Sequence, residues 1–278
     1  MRGQQARAAA DWFERQRVSA TQPTWWFWRW IIKRGRYVLA PFGHLEVTGS
    51  VRADLRSGPL LIAPNHIGNF DTFVIAAAMG TVGLDARFLV TGGIMTAPVV
   101  GPLLERSGSL RVERGKTDAA RSMELVDLAL HHGAHLCIYQ EGRVTLDPGM
   151  WPERGKTGLA RIALKHQIPV IPVAQWGAHE VTKYDQPKAM LTSTLSATWR
   201  RPTLRVHFGE PVDLSGLRAD RRGDAMRARN RIAAAQTRLL APLRAGEPHA
   251  PQFVDETRPV PDRPTAAFPD GQVPDELP

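Results

Sequence analysis

From residue 44 the chain alternates short apolar runs with longer stretches of helical spacing. HLEVTG (44–49) alternates as a strand, and LLIAPN (60–65) is a continuous apolar run of buried-strand type. A helix is predicted from Asp71 to Met79, then a strand at ARFLV (86–90). Residues 93–106 have helical character interrupted by Pro98 and Pro102. SLRVER (109–114) alternates again, and 118–133 reads as a helix ending on Gly133. Next come a strand at AHLCIYQ (134–140), a helix at 156–167, strands at IPVIPVAQ (168–175) and TLRVHFG (203–209), and a long helix over 223–245. This βα order predicts an α/β fold: a mixed, largely parallel sheet flanked by helices. Ligands in such sheets sit beyond the carboxyl ends of the strands. His66 lies at one such end.

The two termini differ from this middle. PTWWFWRWIIKRGRYVLAPF (23–42) places Trp25, Trp26, Trp28 and Trp30 within six residues, among Arg29, Lys33, Arg34 and Arg36. Indole rings settle at a bilayer interface, and cations beside them attract anionic headgroups. The charges are too frequent for a spanning helix. Residues 1–43 are therefore expected to be an amphipathic helical segment lying in a membrane interface, with Trp25, Trp26, Trp28, Arg29 and Trp30 as its contacts. The alternative is a helix packed on the protein's own core. At the other end, residues 246–278 hold eight of the 22 prolines and a net charge of −5. They read as a disordered tail. Residues 44–245 form the domain that holds the candidate chemistry, and with 1–43 they carry +14 of charge. That balance suits anionic lipid, nucleic acid or a phosphorylated substrate without choosing among them. No apolar leader precedes residue 18, and Cys137 is the single cysteine, so a reducing cytoplasm is expected.

The chemistry concentrates in APNHIGNFD, where Asn65, His66 and Asp71 follow a core strand. Imidazole is the side chain suited to general-base work near neutrality, and a carboxylate can fix its tautomer and stabilise its cation. A spacing of five suits a histidine in a turn and an aspartate in the first turn of the next helix. Taken alone, the pair also fits a structural histidine followed by a helix-capping aspartate, and for an isolated pair that reading is the commoner one. No G-x-S-x-G elbow offers an enzyme nucleophile, so the base would act on a substrate hydroxyl directly.

Further segments resolve the ambiguity. NHIGNFD resembles the N-H-x4-D block of the glycerolipid acyltransferases, whose type member acylates 1-acylglycerol 3-phosphate. GSLRVER (108–114), YQEGRVT (139–145) and IPVIPVA (168–174) resemble that family's G-x-I-x-I-x-R, F-P-E-G-T-R and V-P-I-I-P-V elements, in the same order. The resemblance covers roughly residues 40–215. It implies acyl transfer from acyl-CoA or acyl carrier protein to a lipid hydroxyl, with His66 as base and Asp71 as its orienter. It also implies substrate contacts from Asn65, Arg111, Arg114, Glu141 and Gly142. Arg111 is the less secure of the arginines, because strict alternation puts it on the opposite face of the strand from Arg114. One departure stands out: the family's threonine after E-G is Arg143, and its arginine is Val144. Arg143 would then take the phosphate role or mark a different headgroup. Lys156, in GKTG ahead of a helix, offers a second cation; a simple helix start is the equal alternative.

Rival readings are weaker. GMWPERGKT has five residues between its glycines, which breaks the P-loop spacing, and no G-x-G-x-x-G is present. His131, His132 and His135 lack evident partners for a metal, so no metal or other cofactor is expected beyond the acyl donor. Nucleic-acid binding is not expected, because the aromatic cluster is mostly tryptophan and sits at the N-terminus. The expected partners are an anionic membrane surface, a lipid acceptor and the acyl donor, at the cytoplasmic face of the cell membrane. Other lyso-lipids or glycolipids as acceptors, a thioesterase, and a non-catalytic membrane-binding protein are the alternatives.

Overall fold

The computed structural model describes residues 2–91, 95, 100–112, 116–147, 149–183 and 187–244. Seven strands form one sheet: β1 (His44–Gly49), β2 (Leu61–Pro64), β3 (Ala86–Thr91), β4 (Leu110–Val112), β5 (His135–Cys137), β6 (Val170–Trp176) and β7 (Thr203–Phe208). Their spatial order is β1-β7-β6-β2-β5-β3-β4. The pairing of β6 with β7 is antiparallel and the others are parallel. The sheet is thus mixed and largely parallel, as the βα order predicts.

β2 is the middle strand. Every residue of β2 and β6 is buried, which is why both read as unbroken apolar runs. Pro172 sits inside β6 without breaking the sheet. Its carbonyl accepts the Gly209 N–H at 3.0 Å, so its proline ring faces the side on which β7 has already ended.

Helices cover both faces. α1 (Arg2–Thr21), α2 (Trp26–Lys33) and α3 (Gly35–Leu39) precede the sheet. α4 (Asp71–Thr81) follows β2, α5 (Val100–Arg106) follows β3, and α6 (Lys116–His131) follows β4. α7 (Gly158–His166), α8 (Ala178–Val181), α9 (Pro187–Arg200) and α10 (Asp224–Leu243) complete the described helices. Pro102 falls in the first turn of α5, where a missing N–H costs no helical bond. The stretch around Pro98, Arg114 and the tail from 246 lie outside the described residues. α9 was not anticipated: its sequence, PKAMLTSTLSATWR, has a weak inward apolar pattern.

The N-terminal segment packs part of its aromatic cluster on the core. Trp28 and Ile32 of α2 are buried in the main core, while Trp26 and Trp30 are exposed. Trp25 is half-buried, and Arg29 pairs with Asp85 at 3.2 Å. The buried Arg87 ties down the end of α1, donating to the Ser19, Ala20 and Gln22 carbonyls. Among the described residues no helix is long and apolar enough to cross a membrane.

Glycine sets how closely these helices approach α4. A Cβ on Gly35 would lie 2.5 Å from the Ala77 Cα, and one on Gly80 would overlap the Ile32 carbonyl oxygen. Gly80→Ala tests this contact. Helix propensity favours alanine by about 1 kcal/mol, but overpacking costs about 1–3 kcal/mol. We expect a net loss of stability by urea denaturation; a gain would show that α2 yields freely.

Candidate active site

The carboxyl ends of β6, β2 and β5 lie side by side and deliver three segments to one place. β2 ends at Pro64. Asn65 follows, 1% exposed, with its whole amide engaged by β6: Oδ1 accepts the Gln175 N–H at 2.7 Å, and Nδ2 donates to the Gln175 carbonyl at 3.2 Å. Gln175 Nε2 in turn donates to the Asn65 carbonyl at 3.1 Å. These bonds fix the strand end from which the next residue departs.

That residue is His66. Its ring is partly exposed, and Nδ1 lies 2.8 Å from Asp71 Oδ2. The same Oδ2 accepts the N–H groups of Ile67 at 2.6 Å and Gly68 at 2.9 Å. Asp71, fully buried, is the first residue of α4 yet makes no capping bond to its own helix. It turns back and gathers the 66–68 turn. With Nδ1 held by Asp71, Nε2 is the ring nitrogen left to accept a proton. Tyr139 stacks on the imidazole, centroids 4.2 Å apart at 23°. It is the residue that sequence reasoning passed over; its place beside the EGR block was the only signal.

The block after β5 supports this turn from behind. Glu141 is buried, its Oε1 accepting the His66 N–H and its Oε2 the Glu153 N–H, each at 3.1 Å. Thr145 N–H closes the other side by donating to the His66 carbonyl at 2.7 Å. The carboxyl of Glu141 is thus spent on backbone. Gly142 holds φ +70°, a conformation that favours glycine, with the Lys156 side chain alongside. Lys156 and Arg143 are both exposed; Arg143 pairs with Glu153 at 3.4 Å. The loop returns to the body through Arg244, stacked on Trp151 and Trp176 at 4.4 and 4.0 Å and donating to the Gly149 carbonyl.

The structure therefore brings Asn65, His66, Asp71, Glu141 and Gly142 together, with Lys156 and Arg143 at the rim. Arg111 lies elsewhere. Its guanidinium stacks on Trp12 of α1 at 4.5 Å, and its N–H bonds Gln16.

An apolar cavity of about 230 Å³ adjoins the site. Leu89, Val90, Val112, Val126 and Ile162 line it, Gly142 and Lys156 edge it, and Tyr139 forms wall to both cavity and imidazole. Such an arrangement can deprotonate a hydroxyl beside a space that accepts hydrocarbon. Among the described residues no His, Cys, Asp and Glu cluster forms a metal site.

Comparisons with known proteins bear on the family and the fold. Residues 44–176 match the acyltransferase family. No curated protein matches the sequence. The fold is similar to the crystal structure of PlsC, the 1-acyl-sn-glycerophosphate (LPA) acyltransferase from Thermotoga maritima. The TM-score is 0.58 and the identity 17%, over 78% of this chain and 80% of that one.

Two outcomes test the packing of the site. Asn65→Ala leaves the buried Gln175 N–H without an acceptor, which costs about 1–3 kcal/mol; an unchanged urea midpoint would remove Asn65 from its positioning role. Burial pushes the Glu141 carboxyl from its ordinary 4.5 up to about 8, against the two N–H donors that favour its charge. Between those values the folded state holds a proton that the unfolded state has released. This contribution to stability is whole below pH 4.5 and is lost as pH rises toward about 8. Glu141→Gln removes it, so the stability of wild type relative to that variant should fall with pH across the window. Parallel stability–pH curves would contradict the assignment.

Proposed function

We propose, from the premise that residues 44–176 are a domain of the acyltransferase family, that this enzyme moves a fatty acyl group from acyl-CoA or acyl carrier protein to the hydroxyl of a lysophosphatidic acid-like acceptor. The observation that carries this reading is the His66–Asp71 pair set against Tyr139, the wall it shares with an apolar cavity. His66 Nε2 takes the acceptor's proton, and the Asp71 carboxylate stabilises the imidazolium. The freed oxygen bonds to the thioester carbonyl carbon, the C–S bond breaks, and the departing thiolate recovers the proton from His66. The step balances without a metal or redox cofactor. The cavity takes the start of the acyl chain.

Arg143 and Lys156 meet the acceptor's phosphate, with Arg114 as a further cation of the motif. The exposed Trp26 and Trp30 of α2 and the exposed Tyr37 of α3 hold the enzyme at the cytoplasmic face of the cell membrane as a peripheral protein. The basic body favours anionic lipid there.

The test supplies long-chain acyl-CoA, and separately acyl carrier protein, with a panel of lyso-lipid acceptors, and detects diacyl products by mass. His66→Ala should lower turnover by roughly 100- to 10,000-fold without altering the fold. Retained turnover in that variant would end the base assignment. Thiol release without an acylated lipid would replace the reading with a hydrolase.

A further inference from the structure

α9 is built inside out. Its inward face carries small and hydroxyl-bearing residues: Ala197 and Ser193 are buried, Ser193 Oγ accepts the Lys183 N–H at 3.1 Å, and the Thr194 and Thr182 hydroxyls meet at 2.7 Å. Its outward face carries Leu191, Leu195 and Trp199 at intervals of four, 62%, 59% and 91% exposed. Residues four apart stand above one another on a helix, so the three side chains form one row. Nothing in the described chain covers it.

Charge and position say what does. From residue 186 to 209 the sequence has no acidic residue and carries Lys188, Arg200, Arg201 and Arg205. Near the end of α9, Glu180 already faces Arg200 and Arg205, and Arg205 also pairs with Glu46 at 3.7 Å, whereas Lys188 and Arg201 are exposed. A second copy docking by a two-fold axis would bring these cations against their own counterparts with no acid on the row to answer them. Anionic headgroups answer them directly, and a tryptophan beside two arginines is suited to the depth at which acyl chains meet headgroups. The first turn of α9 also touches the active-site turn, with Asn69 Nδ2 3.8 Å from Met190 Sδ. Phe73, two residues past Asp71, is exposed as well.

We propose that the Leu191–Leu195–Trp199 row is a second membrane-docking surface, separate in sequence from the tryptophan-rich α2. It inserts into the headgroup boundary of an anionic bilayer and seats the His66 turn at the lipid surface. The choice of lipid as occupant rests on the acyl-transfer reading above.

The test reads binding rather than turnover, so the two can fail separately. Full-length protein is sedimented with vesicles of phosphatidylcholine, alone or mixed with phosphatidylglycerol. The triple variant L191S/L195S/W199S should lose roughly tenfold or more of its partition to the mixed vesicles. K188Q/R201Q should lose chiefly the advantage conferred by phosphatidylglycerol. Brominated lipid should quench emission in wild type more than in W199F. All these side chains are exposed, so circular dichroism and melting temperature should stay unchanged. Undiminished vesicle binding by the triple variant would overturn the proposal. So would conversion of a wild-type dimer to monomer with vesicle binding intact, which would make the row a self-association surface. Vesicle binding that depends on the row, in an enzyme that acylates no lipid, would sustain the surface and sink the acyl-transfer reading.

Discussion

A single buried oxygen, Asp71 Oδ2, organises the centre of this molecule. It receives the imidazole Nδ1 and the N–H groups of Ile67 and Gly68, all within 2.9 Å. A buried carboxylate is costly unless it is hydrogen-bonded, and here the preceding turn supplies three donors to one of its two oxygens, Oδ2. The turn therefore has little freedom of its own. The chain leaves the central strand, bends around the oxygen and enters α4 with the histidine already aimed. Functional geometry and the start of a helix are the same structure.

Other contacts serve to hold that turn against the sheet. Asn65 pins the end of β2 to β6, Glu141 accepts the backbone N–H of His66, and Thr145 donates to its carbonyl. Several polar residues of the sequence motifs are thus spent on backbone, and the imidazole edge with Arg143 and Lys156 is what stays exposed. Burial lifts the Glu141 carboxyl to about 8, because desolvation outweighs two N–H donors.

The exposed apolar side chains are distributed with equal economy. α2 splits its aromatic residues, Trp28 inward and Trp26 and Trp30 outward. α9 goes further: its buried side chains, Ser193 and Ala197, are small. Docking through hydroxyl bonds instead of bulky side chains leaves a large apolar row available at its outer face.

Periodicity alone determined most of the sheet. The unbroken apolar runs of β2 and β6 announced strands buried on both faces, and the βα order announced parallel pairing; the turn chemistry of Gly68 and Asn69 placed His66 outside a helix and Asp71 inside one. These features are local, encoded within a few residues of one another. What the tertiary structure decided was non-local or rested on weak patterns. The antiparallel entry of β7 depends on which neighbour an edge leaves free, and no spacing records that. α9 was illegible because its large apolar residues face outward and its inward face is small and polar, which removes the expected signal. Arg111 could be placed under Trp12 only once α1 was seen to lie across β4. Tyr139 became visible as a wall of the site only when β5 brought it alongside β2. A motif names residues that share a sequence neighbourhood; stacking, burial and shared walls join residues that the chain keeps far apart.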